Sequence, residues 1–475
     1  MQLRDASLFK QECRVDGKWI SSGGKESIPV TNSANNEQIG SVPKLGWRET
    51  AEAITAAERA WPAWKALTGT ERGRFVRRWR ALILENIDDL AMILTTEQGK
   101  PLAEAKGELQ SGLSYIEWYA EEAKRGYGEV IPSPWQGKQP LTVRQPVGVA
   151  AAITPWNFPM SMIARKAAPA LAAGCPIVIK PASMTPYSAL AMGELALRAG
   201  IPAGVLNVIT VDSSEIGGEM CRNPELRKLS FTGSTEVGKK LLAGCAETVK
   251  KVSMELGGNA PMIICPDADL DQAATGVLAS KFRNAGQTCI CTNRLIVHAD
   301  IHDALVERVV EKAKKIVVGN GIDPGVTMGP LINRNAFEEQ QEFVDDAVAK
   351  GAKVALGGKA HEKGGLFYEP TVLTDVTTGM RAFREEIFGP VLPVMRYESE
   401  AEAVSLANDT EYGLACYVFT RDTGSFYRLS RELEFGMGGV NETTLAGGEV
   451  PFGGGKYGSL GWEGGKRGVD GSLET

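Results

Sequence analysis

A chain of 475 residues with 43% hydrophobic content can fill sizeable cores in roughly three domain-sized units. Its net charge of -6 gives no broad basic footprint for nucleic acid or an anionic membrane surface, and no stretch approaches the ~20 apolar residues of a membrane span. Eight cysteines, scattered apart from Cys289 and Cys291, and a polar Met1–Cys13 segment without an apolar signal core point to a reducing, cytoplasmic setting.

Near the start, Arg14–Ile20 carries the Asp16-Gly17 signature of a tight hairpin. Helices are predicted over Thr50–Ala66, over Thr70–Asn86 with Thr70 as its cap, over Leu90–Gln98 stopped by Gly99, and over Leu102–Lys124. None of the four carries visible chemistry. From Gly126 to Gln145, glycine, proline and β-formers suggest two extended arms, either a hairpin used in oligomerisation or a plain surface hairpin.

An alternating series follows: strand Val147–Ile153, helix Met160–Ala173, strand Ile177–Ile179, helix Ala189–Ala199, strand Val205–Ile209 and strand Lys228–Phe231. That alternation predicts an α/β fold with a parallel, doubly wound sheet, which binds small molecules at the carboxyl ends of its strands. A second αβ series runs from Pro261 to about Val440, and the glycine-rich Gly447–Gly468 reads as loop. The three histidines, His298, His302 and His361, form no metal spacing with the cysteines, so neither zinc chemistry nor a serine–histidine triad is supported.

Within this frame several short stretches carry polar groups that chemistry could use. Phe231–Gly238 (F-T-G-S-T-E-V-G) follows a strand and opens a helix, where backbone amides can meet a pyrophosphate or simply form a glycine turn. Lys180 and Ser183 end another strand; a cation and a hydroxyl there, with no carboxylate, lean towards NADP, with NAD also accepted. Glu255 stands beside Gly257 and Gly258, as a base or as an ordinary helix-end glutamate. Prolines bracket Asn157 in T-P-W-N-F-P, giving a rigid loop whose amide can donate to an oxyanion.

Asn284–Arg294 (N-A-G-Q-T-C-I-C-T-N-R) places Cys289 after a glycine turn. A helix carrying Leu270, Ala273, Ala274, Val277, Leu278 and Phe282 is expected to end at Gly286, and Leu295–Val297 reads as a buried strand. Cys289 is thus a candidate nucleophile or an inert buried thiol, and the more economical base for it is a carboxylate.

Taken in order, P-W-N-F-P, I-K-P-A, F-T-G-S-T-x-x-G, E-L-G-G, G-Q-T-C, E-x-F-G-P (Glu386–Pro390) and P-F-G-G resemble the aldehyde dehydrogenase superfamily across nearly the whole chain. The resemblance implies a Rossmann-type cofactor domain over 1–125 and 146–254, a catalytic domain over 255–440, and an oligomerisation arm and tail over 126–145 and 441–475, in a homodimer or homotetramer. It implies Cys289 as nucleophile, Glu255 as general base and Asn157, with the Cys289 amide, as oxyanion hole. Trp156, Lys180, Ser183, Gly233, Ser234 and Leu256 fall on cofactor positions, Glu386 on the one holding the nicotinamide ribose, and Phe388 beside the nicotinamide.

Arg165 and Arg283 resemble the two arginines with which the succinate semialdehyde dehydrogenase branch holds a far carboxylate, which implies a short anionic aldehyde as substrate. A guanidinium suits that task because it binds a carboxylate through two parallel hydrogen bonds. That branch often adds a serine where this chain has Ala446, so glutarate, ketoglutarate or sulfonate semialdehydes stay open. Cys291 resembles the partner in a redox pair with Cys289, the alternative being a structural thiol. Relatives commonly run beyond the point matching Thr475 into a strand that pairs across subunits.

Overall fold

The computed structural model describes residues 1–24, 26–211 and 213–475, the side chains of 213–216 excepted. Strands β1 (Cys13–Val15) and β2 (Lys18–Ile20) form the hairpin turned by Asp16-Gly17, and β3 (Ser27–Thr31) pairs with β4 (Gln38–Pro43). Helices α1 (Trp47–Ala66), α2 (Gly69–Glu85), α3 (Ile87–Gln98) and α4 (Leu102–Glu122) follow. The cap of α2 is Thr68 rather than Thr70: its Oγ1 accepts from the Glu71 N–H at 3.3 Å while Glu71 accepts from the Thr68 N–H at 2.7 Å, a reciprocal pair that Thr70 cannot make. Gly99, at φ 100, stops α3 as expected.

Between α4 and the next strand, the arms of the 126–145 segment touch through one bridge, Val130 with Leu141. They leave Tyr127, Val130, Trp135 and Leu141 exposed. The short β5 (Gln145–Pro146) pairs with the tail. Then come β6 (Val149–Ile153), α5 (Pro159–Ala173), β7 (Ile177–Lys180), α6 (Pro186–Arg198), β8 (Leu206–Val208), α7 (Ser213–Arg222), β9 (Leu226–Thr232), α8 (Thr235–Ala246) and β10 (Lys251–Glu255). Strand β6 reads V-A-A-A-I and is buried at every position, as a central strand covered by helices on both faces must be.

Strands β8, β7, β6, β9 and β10 lie side by side and parallel, with β1 antiparallel at one edge. Chain order reverses between β6 and β9, the switch point at which sheets of this kind bind ligands. This is the Rossmann-like sheet of the expected α/β class.

The chain then crosses to a second sheet built from β11 (Ala260–Ile264), β12 (Thr292–His298), β13 (Lys353–Leu356), β14 (Thr371–Thr374), β15 (Val391–Tyr397), β17 (Ala415–Phe419) and β18 (Met437–Val440), in the order β13-β14-β15-β12-β11-β17-β18. Its interior, with α9 (Leu270–Lys281), α10 (His302–Ala313) and α11 (Arg334–Ala349), forms one apolar core; two others line the faces of the first sheet. A two-residue β16 (Tyr412–Gly413) pairs with β19 (Gly455–Lys456). The glycine-rich tail returns to the first sheet, where β20 (Ser459–Leu460) adds antiparallel to β10, and β21 (Leu473–Glu474) meets β5. Among the described residues no helix is long and apolar enough to cross a membrane.

Candidate active site

Ends of the first sheet supply most of the predicted residues. Trp156 and Asn157 follow β6, Lys180 and Ser183 end β7, Gly233 and Ser234 follow β9, and Glu255 and Leu256 end β10. The second sheet supplies others from its amino ends, with Arg283, Cys289 and Cys291 before β12 and Glu386 and Phe388 before β15, while Arg165 comes from α5. Contacts close the gap between the two sheets. The rings of Trp156 and Phe388 meet edge-on at 5.5 Å, and Glu386 accepts from the Gly258 N–H at 2.8 Å. A Cβ on Gly258 would stand 2.1 Å from the Cys289 carbonyl oxygen, so only glycine lets the strand after Glu255 pass this close to the thiol's backbone.

Helix α9 ends at Lys281, earlier than the expected Gly286. Asn284, Ala285 and Gly286 then turn through left-handed backbone, at φ 52, 54 and 75. Ala285 in that region is strained at a cost on the order of 1 kcal/mol or more, and the neighbours hold it there. The Asn284 N–H donates to Glu104, and its side chain receives from Gln98 and donates to the Asn157 carbonyl, all within 3.0 Å. The turn thus aims Cys289 into a cavity of about 270 Å³ that also takes in Arg165, Arg283, Ser111, Leu445 and Phe452. A larger cavity of about 580 Å³, between Arg72, Lys124 and Val469, holds none of the predicted residues.

Hydrogen-bonding capacity is left open around the sulfur. The Asn157 Nδ2 spends one hydrogen on the Gln287 carbonyl at 2.9 Å, leaving the other. Among the described residues the Cys289 N–H has no acceptor. Burial pushes the Cys289 thiol up to about 12, with the carboxylates of Glu386 and Glu255 adding to the shift against Arg165. Glu255 itself is raised to about 8, first by burial and then by Glu463; it accepts from the Ser459 hydroxyl at 3.1 Å, and its second oxygen has no partner. Burial likewise raises Glu386 to about 8.

Arg165 lies 1% exposed in α5, with its guanidinium 4.0 Å over the Phe452 ring and its Nε 2.7 Å from Glu463; its Nη2 has no hydrogen-bond partner. Lys166 pairs with the other Glu463 oxygen. Although burial opposes ionisation, these two cations hold Glu463 below the usual glutamate range. Arg283 is exposed at the cavity mouth, 5.6 Å over the Phe158 ring, and no carboxylate of the described residues lies within ion-pair distance of it. Ala446 lines the same cavity, so no hydroxyl stands at that position. Cys289 and Cys291 are both free thiols; the Cys291 sulfur is buried and donates to the Gly286 carbonyl at 3.3 Å.

Residues 19–475 match the aldehyde dehydrogenase family. The chain belongs to that family.

Full-length relatives agree. It is 52% identical to the NADP(+) succinate-semialdehyde dehydrogenase of Escherichia coli and 54% identical to a glutarate-semialdehyde dehydrogenase of Pseudomonas aeruginosa, each over 100% of this chain and 98% of the relative. Its fold superposes on a solved NADP-dependent enzyme of Escherichia coli with a TM-score of 0.99, at 52% identity, covering 100% of this chain and 98% of that one. The protein is accordingly a nicotinamide-dependent oxidoreductase of aldehydes.

Sequence reasoning missed the groups that brace this aldehyde dehydrogenase's site from α3, α4 and the turn between them. Lys100, fully buried, donates to Glu108 and to the Asn157 carbonyl, both at 2.7 Å, and lies 4.0 Å over the Phe158 ring. Glu108 also accepts from the N–H groups of Met160 and Ser161 at the start of α5, as Glu97 does from Tyr187 and Ser188 at the start of α6. Buried Arg294 ties the crossing between the sheets by donating to the Asn259 carbonyl at 2.9 Å. One signal was available for Glu463: two adjacent cations inside the apolar helix α5 require a buried counter-charge.

Proposed function

We propose that this aldehyde dehydrogenase oxidises a short aldehyde bearing an anionic far end, with succinate semialdehyde as its first substrate and succinate as product. One observation carries the reading: the cavity that holds Cys289 also holds Arg165, with a buried Nη2 lacking a partner, and Arg283, with no carboxylate paired to it. A guanidinium left open in a concave site suits a carboxylate. Glutarate semialdehyde is the second reading, favoured by Ala446, which leaves space where a serine would contact a shorter acid.

Cys289 would add to the aldehyde carbon as its thiol proton leaves, with the second Nδ2 hydrogen of Asn157 and the Cys289 N–H receiving the oxyanion. When bound, a nicotinamide dinucleotide supplies the acceptor for the hydride lost from that carbon. Trp156, Lys180, Ser183, Gly233, Ser234, Leu256, Glu386 and Phe388 would hold it. The residues fit such a group: a Cβ on Gly257 would come within 2.8 Å of Glu386, so a bare backbone cradle lies under that carboxylate. NADP is the preferred form and NAD a second, from Lys180 and Ser183 at the end of β7. Glu255 then takes a proton from water, which attacks the Cys289 thioester and releases the acid.

In the same reading, 1–125 with 146–254 is the dinucleotide-binding part and 255–440 the catalytic part. The arm 126–145, with the tail 441–475, joins subunits of a cytoplasmic homodimer or homotetramer, an assignment supported by the exposed Tyr127, Val130, Trp135 and Leu141.

The test is a panel of anionic and neutral aldehydes of matched length, run on wild type and Arg283→Ala. Loss of a charged hydrogen bond, ~1.5–3 kcal/mol, should raise KM for the anionic aldehydes by roughly ten- to a hundredfold and leave neutral ones alone. Equal effects on both sets would refute charge recognition.

A further inference from the structure

Far from the catalytic cavity, two cysteines meet. Cys221 in the last turn of α7 and Cys245 in the last turn of α8 bring their sulfurs to 3.7 Å, both as free thiols. Cys221 also lies 3.5 Å from the Leu241 carbonyl oxygen, while Cys13, Cys175, Cys291 and Cys416 meet oxygens instead of a second sulfur. The two helices are already in contact here, since a Cβ on Gly244 would stand 3.0 Å from the Cys221 Cβ. Both cysteines are buried, at 1% and 2% exposure, one layer below the surface, since Ala246 and Glu247, next to Cys245, are exposed. Lys250, whose ammonium is anchored on the Asn223 and Leu226 carbonyls, supplies positive charge beside both sulfurs.

We propose that Cys221 and Cys245 form a dithiol modification site, oxidised by hydroperoxides to an intrachain disulfide that staples α7 to α8 at the ends away from the catalytic cavity. A disulfide needs the sulfurs at roughly 2.05 Å, so they close by less than 2 Å, through side-chain rotation with the helices in place. Cys221 loses its proton, and its thiolate attacks the terminal peroxide oxygen; the S–O bond forms, the O–O bond breaks, and the other oxygen leaves as alkoxide, or as hydroxide from hydrogen peroxide, and takes up a proton. Cys245 sulfur then displaces hydroxide from the sulfenic acid, forming the S–S bond, and the Cys245 proton joins the hydroxide as water. In sum two thiols and one hydroperoxide give a disulfide, water and the reduced peroxide. The sulfurs lose two electrons and the peroxide oxygens gain them.

The experiment uses the full chain carrying Cys289→Ser, so that the reactive thiol of the main site cannot consume the oxidant. After hydrogen peroxide, free thiols are alkylated and the digest is mapped by mass spectrometry. The expected result is a linked Cys221–Cys245 peptide, two hydrogens lighter than the sum of its parts, lost on dithiothreitol and absent when Cys245→Ser or Cys221→Ala is added. The oxidised protein should also melt above the reduced protein, a difference that either added substitution abolishes. Both cysteines recovered alkylated, or Cys221 recovered as sulfinic acid with Cys245 free, would overturn the proposal.

Discussion

Replacing Lys100 with methionine tests the claim that a residue from the helical layer positions the oxyanion donor. Both side chains of the Lys100–Glu108 pair are shut off from water, at 0% and 1% exposure. Removing one partner of such a pair costs ~3–5 kcal/mol, because a charge is left buried. Glu108 keeps its two N–H donors at the positive end of α5, which places the loss near the lower bound, about 3 kcal/mol. Asn157 also loses one of two anchors on its carbonyl, the other being Asn284. Full loss of an oxyanion donor costs ~10²–10³ in kcat; with one anchor kept, a fall of about tenfold is expected, with KM little changed. Urea unfolding and steady-state kinetics read the two effects separately. Adding Glu108→Gln should restore most of the stability, since no charge then remains buried, while kcat stays low. A stability loss below ~1 kcal/mol, an unchanged kcat, or a double variant no more stable than Lys100→Met would refute the reasoning.

Three other outcomes follow from the site. With Glu255 raised to about 8, its carboxyl is mostly protonated at neutral pH and becomes a base as pH climbs through that value. A hydrolysis-limited kcat should therefore rise between roughly pH 7 and 9, and Glu255→Gln should flatten the profile; a flat wild-type profile would count against this base. Ser183→Glu places a carboxylate where a 2′-phosphate is expected, so kcat/KM with NADP should drop on the order of tenfold or more while NAD is spared; equal losses with both would sink the assignment of Ser183. Ala446→Ser supplies a hydroxyl worth ~1 kcal/mol, so KM for succinate semialdehyde should fall about fivefold relative to glutarate semialdehyde, and no change would show that Ala446 does not set chain length.

What the sequence disclosed depended on whether the signal was local. Strands such as β6 and helices such as α5, with Pro159 at its start and Gly174 at its end, follow from short-range pattern, and so does the switch-point crevice that they frame. Cys289, Glu255 and Asn157 stood out as candidates because each sits in or beside a proline- or glycine-bracketed stretch, Glu255 at the end of its strand. Lys100, Glu108 and Glu463 did not. Lys100 lies in the turn between α3 and α4, Glu108 inside α4 and Glu463 in the tail, and only tertiary packing buries them. The misplaced end of α9 has a related cause: Ala285 adopts a left-handed conformation that alanine disfavours by itself, and contacts from Glu104 and Gln98 to Asn284 impose the turn.

The carboxylates of Glu97 and Glu108 also decide where a negatively charged guest can settle. Helices following β6, β7 and β9 all begin near one rim, and each start carries a partial positive charge from its free amides. At α5 and α6 that charge is already neutralised from within by a glutamate of the neighbouring layer. The first turn of α8 carries instead the exposed Ser234 hydroxyl, which accepts from the Val237 N–H, and the exposed Glu236. Amides at the starts of α5 and α6 are thus already spent on the protein's own carboxyl groups, which leaves less there for an outside anion to bind.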